Sequence, residues 1–452
     1  MNREHDSPKT AREAALRALV RVEKDGAYLN LALPSLLSGL DPAERALAVQ
    51  LSAGTIQRLN TLDWSLNLFS HRAIEKLTPW VRNLLRLSAY QLLYLDRIPD
   101  YAAVNEAVRL ARRFGHRGVA GLTNALLRRL VKEKASLPWP DRDSRPADYL
   151  ALKHSQPRWL VKRMLDRYGF EETKNWCRAG NKKPSPSIRP NLLKTSLSDL
   201  ILKLREEGVR AEISPVAPNM LRMPGGASPA STRAFREGLF TVQGESSGLT
   251  VPLLSARPGE TIIDLCSAPG GKTTHLAEMI GDQGQVIAVE PQQNRLQLVE
   301  KAARRLGLES VKPVLADGRE IEKYGLPQPS AILVDAPCSG LGVIRRLPEI
   351  KWRRTEESLP ALRQLQIDLL RGAARILPPG GRLLYSVCTT EPEETLQVAE
   401  AFTREHGNFA AQAVPSLLPV PLRDTLERGP YAFLWPHRHD LDGFFIALWR
   451  NG

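Results

Sequence analysis

Apolar strands and amphipathic helices alternate from residue 235 onward, and this order restricts the fold more than any other feature of the chain. Turns rich in glycine or proline separate the elements. Because parallel strands need helical crossovers, the pattern predicts a doubly wound, mostly parallel α/β sheet. In such a sheet a ligand binds at the carboxyl ends of the strands. Strands are predicted at 261–266, 286–290, 311–315, 331–335 and 382–386, with helices at 273–280 and 294–306.

The N-terminal region shows helical periodicity instead and lacks strand-like alternation. Asp41, Pro42 and Glu44 form a helix start, with a capping Asp, Pro at the first helical position and an acid in the first turn. This helix is expected to run to about Leu59. The region therefore predicts an all-α domain. Its other helices are expected at 11–22, 79–95, 102–114 and 119–131.

The stretch between these two regions is mixed. It begins with a polar connector at Pro138 and Pro140, and helices are predicted at 157–170 and 199–207 with a short strand at 209–213. This pattern predicts a small α+β connector domain. We therefore expect three domains, at 1–136, 137–234 and 235–452.

The positive charge is concentrated in one part of the chain. The formal net charge is +14, yet residues 101–200 alone carry 21 basic and 9 acidic side chains, and residues 201–452 carry 29 of each. A clustered basic surface is typical of phosphate binding, although the same side chains could simply solubilise helices. The candidates are Arg109, Arg112 and Arg113 on one helical face, Arg128 and Arg129 on the next helix, and Lys182 and Lys183 in a proline-rich segment that is either a linker or an RNA-facing surface.

Several classes of protein are disfavoured by the sequence. No apolar run approaches the ~18 residues of a membrane span, and the N-terminus does not resemble a signal peptide, so we expect a cytoplasmic protein with no membrane partner. Four cysteines in 452 residues argue against a disulfide scaffold. The chain has no C-x-x-C pair, so no metal is predicted. A monomer is expected.

The turn after the first strand of the sheet predicts a nucleoside site. Gly270 and Gly271 allow close approach to the backbone, but the turn matches neither of the common phosphate-binding loops. Glu290 ends the next strand, where an acid can accept both ribose hydroxyls, and Asp317 follows the third strand. A sulfonium-bearing nucleoside without phosphates fits these features. Ordinary turn residues remain the alternative.

Three of the four cysteines also lie at or just after strand ends: Cys266, Cys338 and Cys388. Cys177 lies beside Trp176 in a helical stretch and is expected to be an inert core thiol. The turn Asp335-Ala-Pro-Cys338-Ser-Gly combines a carboxylate with a thiol. Two thiols and a carboxylate beside a nucleoside cleft indicate covalent catalysis on an electrophilic ring.

The motifs DLCSAPGGKTTHLAE, DAPCSGLGVIRRLPEIKW, YSVCTTEPEE and DGFF resemble those of S-adenosylmethionine-dependent RNA cytosine-5 methyltransferases, which have a Rossmann-like catalytic domain. The segment 11–130 resembles the NusB antitermination-factor fold. The pairing is similar to the RsmB/NOP family, in particular to bacterial small-subunit (16S) ribosomal RNA methyltransferases of the RsmB/Fmu (Sun) type.

The resemblance implies a role for each active-site residue. Cys388 would be the nucleophile that attacks carbon 6 of cytosine, and Cys338 would assist product release. Asp335 would hydrogen-bond the cytosine ring. Lys272 is a candidate for the positive charge that favours the thiolate of Cys388.

The resemblance also implies S-adenosylmethionine as cofactor and ribosomal RNA as partner, with the target cytosine in a single-stranded loop or flipped out of its stack. Glu290 would bind the ribose with Arg295 orienting it, Asp317 would lie near the adenine, and Asp335 near the methyl group. The methionine part would contact Cys266, Ser267, Ala268, Pro269, Gly270, Gly271 and Lys272. The residues Arg345, Arg346, Lys351 and Trp352 would flank the RNA, with a solvated helix start as the alternative.

The sequence departs from the family pattern at Gly244, where Asp is general, at Val387, where Thr is usual, and at Glu290, where Asp is more frequent. Rival functions are methylation of tRNA or another RNA, and RNA binding without catalysis. A DNA cytosine methyltransferase would have Pro-Cys-Gln where this chain has Pro337-Cys338-Ser339.

Overall fold

The computed structural model describes residues 7–226, 228–426 and 429–452. The chain forms two compact units. The helical unit comprises the chain up to residue 181 together with a return segment, residues 346–353. The sheet unit comprises residues 182–345 and 354–452.

The helices are numbered in chain order. They are α1 Ala11–Lys24, α2 Leu29–Ala32, α3 Pro34–Leu37, α4 Pro42–Gln57, α5 Leu59–Asn67, α6 Pro79–Tyr94, α7 Asp100–Phe114, α8 Arg117–Glu133, α9 Pro146–Lys153, α10 Arg158–Ala179, α11 Leu197–Glu206, α12 Arg233–Arg236, α13 Glu245–Thr250, α14 Gly271–Met279, α15 Gln293–Leu306, α16 Ile350–Arg353, α17 Leu359–Ile376, α18 Leu396–Glu405, α19 Val414–Leu417, α20 Val420–Arg423 and α21 Pro436–His439. Among the described residues, none of these helices is long and apolar enough to cross a membrane.

The helical unit has an apolar core to which Leu16 of α1, Leu51 of α4, Leu85 of α6 and Leu127 of α8 contribute fully buried side chains. Helices α1, α6 and α8 place their apolar residues mainly on one face, which favours packing as a bundle. The predicted cap of α4 is present, since the Asp41 carboxylate accepts a hydrogen bond from the Glu44 amide at 2.9 Å.

The helix predicted to continue to Leu59 ends earlier, at Gln57, because its last carbonyls have other partners. The Trp352 indole donates to the Ile56 carbonyl at 2.7 Å, and the Lys351 ammonium donates to the Gln57 carbonyl at 3.0 Å. Both side chains belong to the return segment. They satisfy carbonyls that a helix end leaves unpaired, and α5 then begins at Leu59.

The strands form two sheets within the sheet unit. They are β1 Ser187–Pro190, β2 Glu212–Ile213, β3 Leu221–Arg222, β4 Phe240–Val242, β5 Thr261–Asp264, β6 Gln285–Glu290, β7 Val311–Leu315, β8 Ala331–Asp335, β9 Arg382–Val387, β10 Phe409–Ala411, β11 Ala432–Leu434 and β12 Phe444–Asn451.

The small sheet is antiparallel with the order β2-β3-β1-β4. Ile188 and Phe240 from its strands pack with Leu200 and Leu204 of α11 in a separate apolar core. The predicted boundary at residue 235 assigns β4 to the catalytic domain, whereas β4 hydrogen-bonds to β1 of the small sheet. Strand β4 has only three residues, which is too short for a periodic pattern that would predict the sheet to which it belongs.

The large sheet has the order β10-β12-β9-β8-β5-β6-β7, with β11 paired to β12. Strands β5 to β9 are parallel, whereas β12 runs antiparallel to β9 and pairs antiparallel with both β10 and β11. Neighbouring residues of β5 enter opposite cores, Ile262 on one face and Ile263 on the other. This is why the strands read as continuous apolar runs.

The predicted fold class is confirmed in each of its parts: an all-α N-terminal domain, a small α+β connector and a mostly parallel doubly wound sheet. The strand order reverses between β5 and β8, which both lie at the centre of the large sheet. A ligand crevice is therefore expected beyond the carboxyl ends of these two strands.

Candidate functional site

The turn from β5 into α14 is pinned to the neighbouring strand. The Ser267 amide and hydroxyl both donate to the Val289 carbonyl of β6 at 3.0 Å, and the Gly270 amide donates to the Ser267 carbonyl at 2.8 Å. Gly270 has φ +105°, and a Cβ there would lie 3.1 Å from the Val299 Cα, so conformation and packing both demand glycine. The turn places the N-terminus of α14 at the crevice.

Glu290 ends β6 with its carboxylate buried. Arg295 contacts it, with Nη1 3.3 Å from Oε2, and the other Arg295 nitrogen, Nη2, donates to the Ala268 carbonyl at 3.3 Å. Arg295 thus connects the acid of β6 to the turn after β5. The sequence predicted the contact with Glu290 but not the second one.

Asp317 follows β7 and is already paired. The Arg319 guanidinium contacts its carboxylate at 2.5 Å, and this hydrogen bond lowers the pKa of Asp317. Asp317 therefore carries a charge in this structure, balanced by a side chain that the sequence analysis did not consider.

Acidic side chains line the crevice, and cations pair with two of them: Lys272 with Asp335, and Arg295 with Glu290. Burial and the charges of Asp264, Asp335 and Glu290 raise the pKa of Cys266 well above its usual value. Burial also raises the pKa of Asp264 to about 7. The Thr273 hydroxyl donates to Asp264 Oδ2 at 2.7 Å.

Asp335, at the end of β8, joins two further side chains. Lys272 of α14 donates to Oδ2 at 2.7 Å, and the Ser386 hydroxyl of β9 donates to Oδ1 at 2.7 Å. Both carboxylate oxygens thus have a fixed partner. Lys272 was predicted to lie at the site, but its bonded partner is Asp335, not a cysteine.

The two cysteines predicted to act together are in contact. Cys338 follows β8, Cys388 follows β9, and their sulfur atoms lie 3.2 Å apart. The hydrogen bond with Cys388, together with burial, raises the pKa of Cys338 well above its usual value. Cys338 is therefore available as a thiol that can donate a hydrogen bond. The neighbouring strands explain the contact, since β8 and β9 are parallel and end at the same edge.

The backbone around Cys338 is fixed from two sides, by residues that the sequence analysis missed. The Ser339 amide donates to Oε2 of the buried Glu394 at 2.7 Å. Arg354 donates from Nε to the Ser339 carbonyl at 2.9 Å and from Nη2 to the Cys338 carbonyl at 3.4 Å. Burial raises the pKa of Glu394. Glu394 is the last residue of the YSVCTTEPEE motif, and nothing else in the sequence indicates that it contacts the cysteine loop.

The DGFF motif packs closely against the loop after Cys338 and hydrogen-bonds to it. The Gly342 amide donates to the Cys388 carbonyl at 2.9 Å, and the Gly443 amide donates to the Gly342 carbonyl at 2.8 Å. A Cβ on Gly342 would overlap the Gly443 carbonyl. This loop therefore brings the two cysteine motifs and the C-terminal motif into one structure.

Arg345, which was predicted to flank the RNA, instead forms ion pairs inside the sheet unit. It is buried, with Nε 2.8 Å from Asp442 Oδ1 and Nη1 3.3 Å from Asp440 Oδ1. A buried guanidinium bound to two carboxylates is not open to a phosphate. The hydrophilic sequence gave no sign of these acids, which lie about a hundred residues further on.

The other residues predicted to flank RNA near the active site belong to the helical unit. Lys351 is buried, donates to the Gln57 and Ser155 carbonyls, and has a pKa well below its usual value because of burial. Trp352 bonds the Ile56 carbonyl, and Arg346 is half-buried. The return segment thus anchors in the helical unit.

The predicted phosphate contacts of the helical unit differ in their surroundings. Arg109 and Arg112 of α7 are exposed, and Arg109 pairs with Glu106 at 2.6 Å. Arg113 is half-buried and bonds the buried Glu13 at 2.8 Å. The remaining candidates are exposed: Arg128 and Arg129 of α8 in the helical unit, and Lys182 and Lys183 in the sheet unit.

Arg189 supports the site from the proline-rich segment. It is buried, pairs with Glu278 of α14 at 2.8 Å and donates to the Gly271 carbonyl at 2.8 Å. The sequence left this segment open as linker or RNA-facing surface, because prolines obscure the strand that carries Arg189. By contrast, Cys177 is a core thiol as predicted, and burial raises its pKa to about 12.

Three families match successive parts of the chain. The NusB family matches residues 9–132, a ferredoxin-like domain of RsmF/B-like methyltransferases matches residues 156–228, and 16S rRNA methyltransferase RsmB/F matches residues 251–450. The resemblance to NusB and to this methyltransferase family, predicted from the motifs, is confirmed.

Curated relatives are similar over nearly the full length. A probable ribosomal RNA small subunit methyltransferase B of Bacillus subtilis is 37% identical over 98% of this chain and 99% of its own length. A ribosomal RNA small subunit methyltransferase B of Photorhabdus laumondii is 32% identical over 96% of this chain and 97% of its own length.

Solved structures are similar too. The crystal structure of PH0851 superposes with a TM-score of 0.84 and 29% identity, covering 99% of each chain. NSun6 from Pyrococcus horikoshii, solved with SFG, superposes with a TM-score of 0.58 and 25% identity, covering 65% of this chain and 98% of its own.

Proposed function

The chain belongs to the 16S rRNA methyltransferase RsmB/F family and is therefore an enzyme, and on this premise we propose that it transfers a methyl group from S-adenosylmethionine to carbon 5 of a cytosine in small-subunit ribosomal RNA. The observation that carries the proposal is the pair of sulfur atoms, Cys338 and Cys388, 3.2 Å apart beside Asp335. One thiol can add to a pyrimidine ring that a carboxylate holds, and a second thiol can assist the departure of the first.

The residues at the crevice suit the parts of S-adenosylmethionine. Glu290 and Asp335 end the two strands that flank β5 in the sheet, and the turn at Gly270 brings backbone close to a ligand. Glu290 would bind the ribose, and Asp317 would accept from the adenine amino group. A structural relative, NSun6, was solved with SFG, an analogue of S-adenosylmethionine.

S-adenosylmethionine supplies an electrophilic methyl group. The Cys388 thiolate would add to carbon 6 of the cytosine, which makes carbon 5 nucleophilic enough to take that methyl group and leave S-adenosylhomocysteine. Loss of the carbon-5 proton then restores the double bond and expels Cys388, with its electron pair, from carbon 6. Asp335 would hydrogen-bond the ring nitrogen and amino group, which stabilises the charge that develops on addition.

Cys338 would act at the last step. Its raised pKa keeps it a thiol, and a thiol 3.2 Å from Cys388 can donate a hydrogen bond to the departing sulfur. A hydrogen bond to a developing thiolate lowers the barrier to expulsion. This assigns different tasks to two identical side chains.

The test uses labelled S-adenosylmethionine with small-subunit ribosomal RNA, tRNA and DNA as separate substrates. Wild-type protein should label the ribosomal RNA, and Cys388→Ala should abolish transfer because no adduct can form. Cys338→Ala should accumulate a covalent protein–RNA complex on a denaturing gel. Labelled RNA is then digested to identify 5-methylcytosine.

The matched control is Cys177→Ala, which removes a buried thiol of the helical unit and should leave transfer intact. Full transfer by Cys388→Ala would overturn the proposed nucleophile. Labelling of tRNA or DNA in place of ribosomal RNA would overturn the substrate, and no labelling of any nucleic acid would favour RNA binding without catalysis.

A further inference from the structure

Arg354 is the first residue of the sheet unit after the return segment, and its side chain is directed at the cysteine loop. It donates to the Ser339 carbonyl at 2.9 Å and to the Cys338 carbonyl at 3.4 Å. On the other side of the same peptide, the Ser339 amide donates to Glu394 at 2.7 Å. A cation and a carboxylate therefore fix the two ends of the backbone that carries the Cys338 thiol.

We propose that Arg354 is a positioning residue for product release: it fixes the Cys338 backbone so that the Cys338 thiol points at the sulfur of Cys388. The inference rests on the proposed function and names a residue that acts on one step of it. In that step the carbon-5 proton passes to solvent, its bonding pair forms the carbon 5–carbon 6 double bond, and the carbon 6–sulfur bond breaks with its pair returning to Cys388. The Cys338 thiol donates a hydrogen bond to that sulfur as it leaves.

The geometry makes the orientation of Cys338 sensitive to Arg354. One guanidinium bonds two successive carbonyls, so it fixes the direction of the peptide between them and not only its position. The Ser339 hydroxyl also bonds the Thr389 hydroxyl next to Cys388 at 3.1 Å. Rotation of the Cys338–Ser339 peptide would therefore separate the two sulfur atoms, while Cys388 would keep its own place after β9.

The experiment measures two quantities in the full-length protein. Single-turnover methyl transfer reports attack by Cys388, and the fraction of protein in a covalent RNA complex during steady turnover reports release. In Arg354→Met we expect release to slow about fivefold to tenfold, the effect of one or two hydrogen bonds, so the covalent fraction rises while single-turnover transfer stays within about twofold of wild type. Arg354→Lys keeps the charge but cannot fork across two carbonyls, so it should give an intermediate covalent fraction.

Arg371→Met is the matched control, since Arg371 is half-exposed on α17 and pairs with Glu405. It should match wild type in both quantities. Equal loss of both rates in the Arg354 variants, with no rise of the covalent fraction, would show a purely structural role and overturn the proposal. Thermal unfolding identifies a variant that fails to fold, in which case Arg354→Lys carries the test.

Failure of the proposed function has a different signature. In that case wild-type protein would transfer no methyl group to RNA and Cys338→Ala would form no covalent complex. If both of these succeed and the Arg354 variants behave as wild type, only the assignment of Arg354 fails.

Discussion

Asp264 is a buried carboxyl of the crevice whose ionisation the fold changes. Burial raises its pKa to about 7, and its Oδ2 accepts a hydrogen bond from the Thr273 hydroxyl at 2.7 Å. Between its unfolded pKa near 3.8 and its folded pKa the carboxyl takes up a proton on folding. The free energy of unfolding should therefore fall as pH rises through this window and level off above it, by at most about 1.4 kcal/mol per pH unit.

Asp264→Asn tests this linkage, because the amide oxygen can still accept from Thr273 but does not titrate. Urea unfolding at pH 5, 6 and 7 should show a smaller pH dependence in the variant than in wild type. Parallel curves for the two proteins would contradict a carboxyl that is neutral at pH 5. Cys177→Ala is a suitable control, since its thiol does not titrate in this range.

Among single residues, the sequence predicts those whose reactive side chains stand at strand ends, where a ligand binds. Cys338, Cys388 and Asp335 are such residues, and they do lie together. It does not predict the partners of ordinary arginines. Arg345 and Arg354 look like surface cations in the sequence, and only the folded chain brings acids to one and carbonyls to the other.

The elements around the site meet at glycines. The loop after β8 passes the residue before β12 so closely that a Cβ on Gly342 would overlap the Gly443 carbonyl and lie 2.9 Å from the Cys388 carbonyl. Both neighbours are backbone and cannot rotate away. Gly342→Ala should therefore destabilise the protein by about 1–3 kcal/mol and reduce methyl transfer.

Gly121→Ala is the control at the element scale, because Gly121 is exposed within α8 and has no atom within 4 Å of an added Cβ. It should be neutral or stabilise by about 0.5–1 kcal/mol. Denaturant unfolding compares the two variants. Equal stability of Gly342→Ala and wild type would show that the loop can separate from β12.

Local sequence patterns predict the secondary structure except where residues distant in the sequence contact the end of an element. The strand and helix order of the large sheet follows from apolar runs and turns, and the cap at Asp41 marks the start of α4. The end of α4 does not, since Lys351 and Trp352 bond its last carbonyls from nearly three hundred residues away. No local pattern contains that information.

At the scale of the whole molecule, charge divides between the two units. The basic excess of residues 101–200 falls mainly in the helical unit, whereas residues 201–452 are neutral overall and carry a crevice lined by carboxylates. An RNA backbone would thus bind basic residues of the helical unit, and the cofactor would bind residues of the sheet unit. Affinity for the two should respond independently to mutation.

Replacing Arg109 and Arg112 by Gln tests this division. Both are exposed on α7, whereas Arg113 is left in place because its loss would unpair the buried Glu13. RNA affinity should fall, and the slope of log affinity against log salt should flatten by about 1.4 if each residue contacts one phosphate of a single strand. Affinity for S-adenosylmethionine, measured by calorimetry, should not change.

The control replaces Arg210 and Arg404, two exposed arginines of the sheet unit, by Gln. An equal loss of RNA affinity in both double variants would mean that net charge alone attracts RNA, and that α7 is not a specific docking surface.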